Sequence, residues 1–527
     1  MYSIHLYLID IIIILKRGQI MKLKSWFNRK LKLSVISITI CVLLAPMAMS
    51  VHEIPDHNQV QGIENTFILM NTSMGSMKIS LYDDLAPETV QNFLDLMNID
   101  FFDGLVFHRV IDDFVIQGGG YDSNGIIKQS PFGSIDLEIH PDARHIDGAL
   151  GMARTNDPNS ATSQFYICDG PQHFLDDNYA VFGVVVEGMN VVRHIASVDT
   201  TTRYGLEDWP VEDVTITSFS IVTLDTWYVD DDNAQGPWYG TSDYPFEFIQ
   251  DALDQAEAND KIIIREGTYD EALQITTPVD LIGQSTENTI LTTTESDENL
   301  VIQNASFTKI GHLSFQSNQE GPLTAIKIVE SNYCTIEHVD FRNQIPLHKA
   351  VYVNGSYNTL NKLNINGGYA GTGISIFHGK ENIIKDNMIH ACTVGVYILR
   401  SNDNIARSNT IINCSKGFYL EEGQRNLVTN NQIQENEQGV FCSYASDNTI
   451  EKNNFIENGE HAKFAKFLKL GFLIPNHWSM NYWDDFTGVF VKKVFGLLYV
   501  PIGKPIGFFL PCYEFDFSPT GSPYQFS

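Results

Sequence analysis

Asn382, Asn404, Asn426 and Asn448 stand 22 residues apart in the second half of the chain, with Asn358 opening the series. Asn387, Asn409, Asn431 and Asn453 keep the same period, and so do Gly373, Gly395, Gly417 and Gly439. Each of these glycines precedes an apolar residue, Ile374, Val396, Phe418 or Val440; Ile389, Ile411, Ile433 and Phe455 form a further apolar column. A fixed period of this length means one supersecondary unit stacked on its own copies. Short runs with β-branched centres, joined by Asn/Gly corners, make that unit a coil of parallel strands rather than a helical repeat. Successive coils then lie about 4.8 Å apart, so equal positions touch. Apolar columns become the core, and inward asparagines form hydrogen-bonded ladders at the corners. The same stacking pairs Arg400 with Glu422. It also sets Cys392 on Cys414, as free thiols in the favoured reading or as a disulfide in the lesser one.

Less regular coils begin near Trp227. Phe246, Ile249, Leu253 and Ala256 sit at helical spacing behind Asp243 and Pro245, which predicts a short helix capping the open end of the solenoid. Lys261–Arg265, Leu273–Thr276 and Val279–Ile282 read as first-coil strands, and Asn481–Asp485 with the aromatic tail as the closing cap. The array is therefore bounded at 224–485, with a C-terminal cap over 486–527. It resembles the right-handed parallel β-helix proteins of the carbohydrate-binding and sugar-hydrolase repeat class, and the β-helix factors linked to copper-enzyme maturation. That resemblance covers architecture more than chemistry. Glu381, Asp403 and Asp447 share a column just before the asparagines, but no three carboxylates group on one strand column as a polysaccharide hydrolase needs. His338, His348, His378 and His390 share no column, which argues against a copper site. Asp230-Asp231-Asp232-Asn233 offers hard oxygens to calcium, with a solvated acidic loop as the favoured alternative.

A chain of 527 residues exceeds one ordinary core, so further domains precede the array. From Met21, a basic stretch (Lys22, Lys24, Arg29, Lys30, Lys32) leads into an apolar run from Val35 to Met49 and small residues at Ala48 and Ser50. That order is a secretory leader, a signal peptide or an N-terminal anchor over 1–50 with its true start at Met21, followed by a linker over 51–63. The expected location is extracytoplasmic, secreted or held at the cell surface through the leader. A net charge of −30 repels phosphate backbones and excludes nucleic acid as a partner. Seven cysteines without a CxxC pair support neither a disulfide scaffold nor zinc.

Residues 64–223 read as one domain of short strands. Thr66–Tyr82 alternates around Gly75 as a hairpin does, and Pro87 with Glu88 opens a helix carrying Val90, Phe93, Leu94 and Met97 on one face. Strand-like runs follow at Val106–His108, Phe114–Gln117, Gly148–Ala153, Gln164–Ile167, Val181–Val186 and Thr215–Val222. Many short strands with one early helix predict a closed barrel. Within it, Phe107–Gly120 sets Arg109, Phe114 and Gln117 at offsets of five and eight residues, ahead of a glycine turn. Rotation about an X-Pro amide must cross a barrier of about 18–20 kcal/mol. It localises the lone pair on the prolyl nitrogen, so a donor aimed there stabilises the twisted state and not the planar one. Arg109 offers such a donor, since guanidinium stays charged and presents rigid N–H groups. An aromatic slot would hold the proline ring.

Four blocks in order, Phe107–Gly120, Leu150–Arg154, Thr162–Ile167 and Phe174-Leu175 through Tyr179 to Phe182-Gly183, resemble the cyclophilins. The resemblance implies a peptidyl-prolyl isomerase on a closed β-barrel with flanking helices, mainly β like the solenoid behind it. Carried over residue by residue, it makes Arg109, Phe114 and Gln117 catalytic. It puts His108, Val115, Ala153, Arg154, Gln164, Phe165, Tyr166, Phe174, Leu175 and Tyr179 around the substrate, with Phe165 among the walls of the slot and His108 in a supporting role. The chemistry calls for no metal and no cofactor. Phe174 stands where many eukaryotic members carry tryptophan, and Tyr179 where they often carry histidine. Both match prokaryotic members, and loss of the indole donor implies weak cyclosporin sensitivity. Gly120 replaces the acid that often ends the Gln-Gly-Gly motif. The expected function is an exported isomerase that assists folding of proline-containing polypeptides, its β-helix serving surface display or binding a glycan or protein. The alternative is a surface-binding β-helix protein whose barrel holds proline without turning it over.

Overall fold

Burial alternates along Phe67–Thr72 (β1) and Gly75–Leu81 (β2), and the two strands pair antiparallel as the pattern around Gly75 requires. This computed structural model describes residues 65–527 apart from 295, 318–322, 344–347, 370, 468–474, 487–490, 502–506 and 526–527. The leader and linker read over 1–63 lie outside the described residues. Among those described, no helix is long and apolar enough to cross a membrane.

Helix α1 (Pro87–Asn98) buries Val90, Phe93 and Met97 as anticipated, while Leu94 is half-buried at the edge. After it come β3 (Leu105–Val106), β4 (Arg109–Ile111), β5 (Val115–Gly118), β6 (Tyr121–Asp122), β7 (Ala149–Met152), β8 (Phe165–Cys168) and β9 (Val181–Glu187). A second helix, α2 (Met189–Ala196), enters through left-handed Gly188 and is followed by β10 (Thr200–Arg203), β11 (Leu206–Pro210) and β12 (Ile216–Ile221). The sequence pattern did not anticipate α2, whose eight residues give barely two turns of periodicity. The main sheet runs β12-β1-β2-β9-β7-β8-β5-β4. Its two edges meet through the backbone, Gly104 N–H to the Ile216 carbonyl at 2.9 Å and Phe107 N–H to that of Val214 at 3.0 Å. Phe93 and Phe102 from the helical side pack inside it against Phe165, with edge contacts at 5.5 and 5.7 Å.

From β13 (Thr226–Val229) onward, 30 strands among the described residues form one continuous solenoid sheet system. The apolar columns are in register: Ile374, Val396, Phe418 and Val440 pair in succession, as do Ile389, Ile411, Ile433 and Phe455, and all are buried. The glycine column exists because coils approach closely there; a Cβ on Gly395 would sit 2.7 Å from the Gly417 carbonyl oxygen. Both asparagine sets form ladders. Asn382 donates to Asn404 at 2.9 Å, and Asn404 to Asn426 at 2.9 Å. Asn387 donates to Asn409 at 2.8 Å, and Asn409 to Asn431 at 2.9 Å. Arg400 meets Glu422 at 2.6 Å, and Cys392 and Cys414 are stacked free thiols. Cys414 occupies an asparagine-ladder position, since its Sγ accepts from Cys392 N–H at 3.4 Å and its own N–H donates to Asn436 at 2.9 Å.

In the corner column that precedes the Asn382 ladder, the left-handed residue itself is neither asparagine nor glycine. Tyr357, Glu381, Asp403, Arg425 and Asp447 hold left-handed φ values of 54–61°, and the asparagine one residue later fastens each corner to the next coil. Such φ values persist where surrounding bonds over-determine them. At the far end the ladders terminate on buried carboxylates. Glu514 accepts from Asn476 N–H at 2.9 Å and Trp478 Nε1 at 2.8 Å; Asp516 accepts from Asn481 and from Trp483 Nε1, each at 3.1 Å. At the near end, α3 (Ile249–Gln255) starts later than the Asp243–Pro245 signal indicates. Its first N–H groups are capped by Glu271 from a following strand connection, at 2.8 and 3.0 Å. The Asp230–Asn233 loop is consumed internally: Asp230 pairs with Arg265 at 2.9 Å and Asp231 accepts from Thr268 N–H at 2.9 Å.

Candidate active site of the barrel

Antiparallel pairing of β4 with β5 sets Arg109 directly opposite Gln117, so both side chains leave the same face of the sheet. The Arg109 side chain is 39% exposed, with its Nε 3.9 Å from the Asp208 carboxylate and its guanidinium 5.7 Å from the centre of the Phe114 ring. Phe114 stacks on Phe174 at 5.8 Å. Behind them Val115 and Tyr166 form a small apolar cluster with Ala153, Leu175 and Tyr179 packed against it. A charged donor thus stands at the mouth of an aromatic slot.

Gln117 Nε2 donates to Gln164 Oε1 at 3.1 Å, and Ala153 N–H donates to the Gln164 carbonyl at 2.9 Å. Gly120 is explained by this pair: a Cβ there would lie 2.6 Å from the Gln164 side chain. Arg154 is tied into its own surroundings. Its guanidinium covers the Tyr179 ring at 4.5 Å and donates to the carbonyls of Asn178 at 2.7 Å and Thr155 at 2.8 Å, bracing the loop that carries Tyr179.

One expectation is corrected by strand alternation. Phe165 does not wall the slot; it is fully buried in the main core against Phe93, Phe102 and Phe107, because its neighbour Tyr166 takes the outward position on β8. His108, between β3 and β4, lines no part of the slot cluster and is 4% exposed, with its ring 4.7 Å from Tyr121 and 6.1 Å from Trp209. Burial lowers its pKa to about 4, against the smaller raising effects of hydrogen bonds to Val106 and Gln164. At neutral pH it is an uncharged ring behind Gln164.

A polar chain under the slot was not visible in the sequence. The Tyr166 hydroxyl meets His145 Nε2 at 2.7 Å, and His145, wholly buried, meets Asp176 through Nδ1 at 2.8 Å. Asp176 in turn holds His173 Nδ1 at 3.1 Å. Burial would raise the Asp176 carboxyl, yet hydrogen bonds from His145 and His173 and the Arg144 charge hold it well below the usual range. Neither His145 nor Asp176 lies in a recognisable motif; only proximity in the fold joins them.

In the solenoid, the ring of His312 stacks on that of His338 at 4.8 Å, a shared column that the set of four histidines considered above did not include. His461 lies 2.7 Å from Asp484 and 3.4 Å from Asp485, but Lys492 also binds Asp485, at 2.5 Å. A lysine inside the donor set makes this a salt-bridge network and a poor fit for copper.

Residues 67–221 match the family model for cyclophilin type peptidyl-prolyl cis-trans isomerase/CLD, and residues 281–488 match that for periplasmic copper-binding protein (NosD). A peptidyl-prolyl cis-trans isomerase of Acinetobacter baylyi is 37% identical over 193 residues, which cover 36% of this chain and 97% of that protein. Peptidyl-prolyl cis-trans isomerase B of Escherichia coli is 40% identical over 163 residues, 29% of this chain and 98% of that one. A crystal structure of a cyclophilin type isomerase from Cryptosporidium parvum aligns at 25% identity with a TM-score of 0.29, covering 31% of this chain and 99% of that one.

Proposed function

The chain belongs to the cyclophilin-type peptidyl-prolyl cis-trans isomerase family, and from that premise we propose an exported isomerase that turns over X-Pro bonds in extracytoplasmic polypeptides and assists their folding. In this reading residues 64–223 are the catalytic unit, 224–485 the solenoid and 486–527 its cap, behind a leader over 1–50 and a linker over 51–63. The leader pattern supports export, as does a solenoid similar to a family described as periplasmic. A surface location gives the solenoid its role in display or in binding a glycan or protein.

The proline ring enters the slot between Phe114, Leu175 and Tyr179, with Val115 and Tyr166 beneath it and Phe174 at the rim. Gln117 and Gln164 hold the flanking peptide groups. Arg109 donates toward the prolyl nitrogen as the amide twists, where its charge favours the pyramidal nitrogen over the planar ground state. No nucleophile or proton relay enters, because no covalent bond is made or broken. The observation that carries the reading is the half-exposed Arg109 guanidinium held over Phe114 and opposite Gln117.

The test is a proline-isomerisation assay of the full chain beside its Arg109→Ala variant. Removing a donor aimed at developing charge lowers kcat/KM by about a hundredfold. Equal rates would reduce the barrel to a proline-binding module and transfer the function to the solenoid.

A further inference from the structure

The polar chain beneath the slot does not end in the barrel. His173 Nε2 lies 2.6 Å from Oε2 of Glu381, a corner residue of the solenoid, and Arg144 NH1 lies 3.9 Å from the same oxygen. The His173 nitrogen and the Glu381 oxygen are both buried and make no directed hydrogen bond, so their ion pair is what compensates each. His173 opens the short 3₁₀ turn His173–Leu175, whose next two residues are the slot walls Phe174 and Leu175. Its other nitrogen holds Asp176, which closes the turn and binds His145, the partner of Tyr166. Burial opposes protonation of His173, but Asp176 and Glu381 outweigh it and raise the ring to about 9, so it bridges the two carboxylates as a cation at neutral pH.

A second clamp lies beside the first. Asp142, in the loop leading to β7, binds Lys385 at 2.6 Å and Arg407 at 2.8 Å, both on the solenoid. Asp142 is followed by Ala143, which packs on the slot cluster, and by Arg144, which binds Asp176 at 3.4 Å, so this clamp is not independent of the slot. Lys78 of β2, which donates to the Ala258 carbonyl of the solenoid at 2.8 Å, is a contact between the domains outside that cluster.

We propose that Glu381 of the solenoid is a positioning residue for the isomerase site, fixing through His173 the turn that presents Phe174 and Leu175 to the proline ring. The solenoid is then part of the catalytic architecture as well as a carrier. This rests on the slot holding proline as described above.

The experiment measures kcat and KM separately for the full chain, Glu381→Gln, His173→Gln, their double variant and the docking control Lys78→Met, with thermal unfolding of each. Energetic coupling through a contact network of this kind changes affinity by roughly 2- to 30-fold. Glu381→Gln raises KM within that range while kcat stays near wild type, and adding it to His173→Gln changes nothing further. Lys78→Met, which removes a contact between the domains outside the slot cluster, leaves both constants intact. An unchanged KM in Glu381→Gln overturns the proposal, and so does an equal loss in Lys78→Met, which would make domain docking in general the cause. If Glu381→Gln unfolds, His173→Gln decides alone: a wild-type KM there refutes the route. An inactive parent chain would instead overturn the isomerase reading, a result distinct from either.

Discussion

Asn409→Ala tests the asparagine ladder most directly. Asn409 is 1% exposed and its amide makes four hydrogen bonds. Its oxygen accepts from the backbone and side chain of Asn387 at 3.1 and 2.8 Å; its nitrogen donates to the Ile384 carbonyl and to Asn431, each at 2.9 Å. Four buried bonds at about 1 kcal/mol each give about 4 kcal/mol, and the orphaned Asn387 N–H adds roughly another. Urea unfolding of the solenoid, followed by tryptophan fluorescence and by hydrogen exchange of residues 383–434, reads the loss. Arg400→Ala is the control, since Arg400 pairs with Glu422 across the same coil spacing with both side chains about half exposed, 55% and 44%. Solvent screening leaves such a pair with little net effect, and the midpoint stays put. Equal shifts in the two variants would refute the assignment of solenoid stability to inward ladders rather than to stacking as such.

Other consequences can be checked at the barrel. His108, held near pKa 4 against an ordinary value of about 6.5, takes up its proton more readily in the unfolded chain; barrel stability therefore falls as pH drops from 6.5 toward 4, and His108→Gln flattens that slope in pH-dependent denaturation. His173 has the opposite sign. Raised to about 9 by Asp176 and then Glu381, with burial and Arg144 opposing, it stabilises the fold fully below pH 6.5, and that contribution disappears as pH rises through 9, an alkaline loss that Glu381→Gln diminishes in thermal melts. Gly120→Ala pushes the Gln164 side chain off Gln117 and lowers kcat/KM several-fold in the peptide assay, with thermal stability little changed. Phe174 is 69% exposed and lacks a donor, so cyclosporin binds weakly by calorimetry; Phe174→Trp restores one hydrogen bond and tightens binding about tenfold.

Periodicity alone established the solenoid, because a coil stacked on its copy makes every column either core or corner. A 22-residue spacing therefore sufficed to place Ile411 inside, Asn409 in a ladder and Arg400 against Glu422. Local order likewise made one grouping legible: Arg109, Phe114 and Gln117 lie within nine residues, and one hairpin sets Arg109 opposite Gln117 and over the Phe114 ring. Where reading stopped was at alternation and at long range. Phe165 and Tyr166 are adjacent aromatic residues, and only the pairing of β8 decides which enters the core. The corner position of Glu381 followed from its column, but a repeat period describes what touches along the solenoid axis and nothing of what lies outside it. The ion pair with His173, 208 positions earlier in the chain, exists because the barrel rests on that corner. Tertiary packing alone turned a solvent-side acid of a repeat into a neighbour of the proline slot, since burial makes an ion pair matter and no one-dimensional pattern records burial across domains.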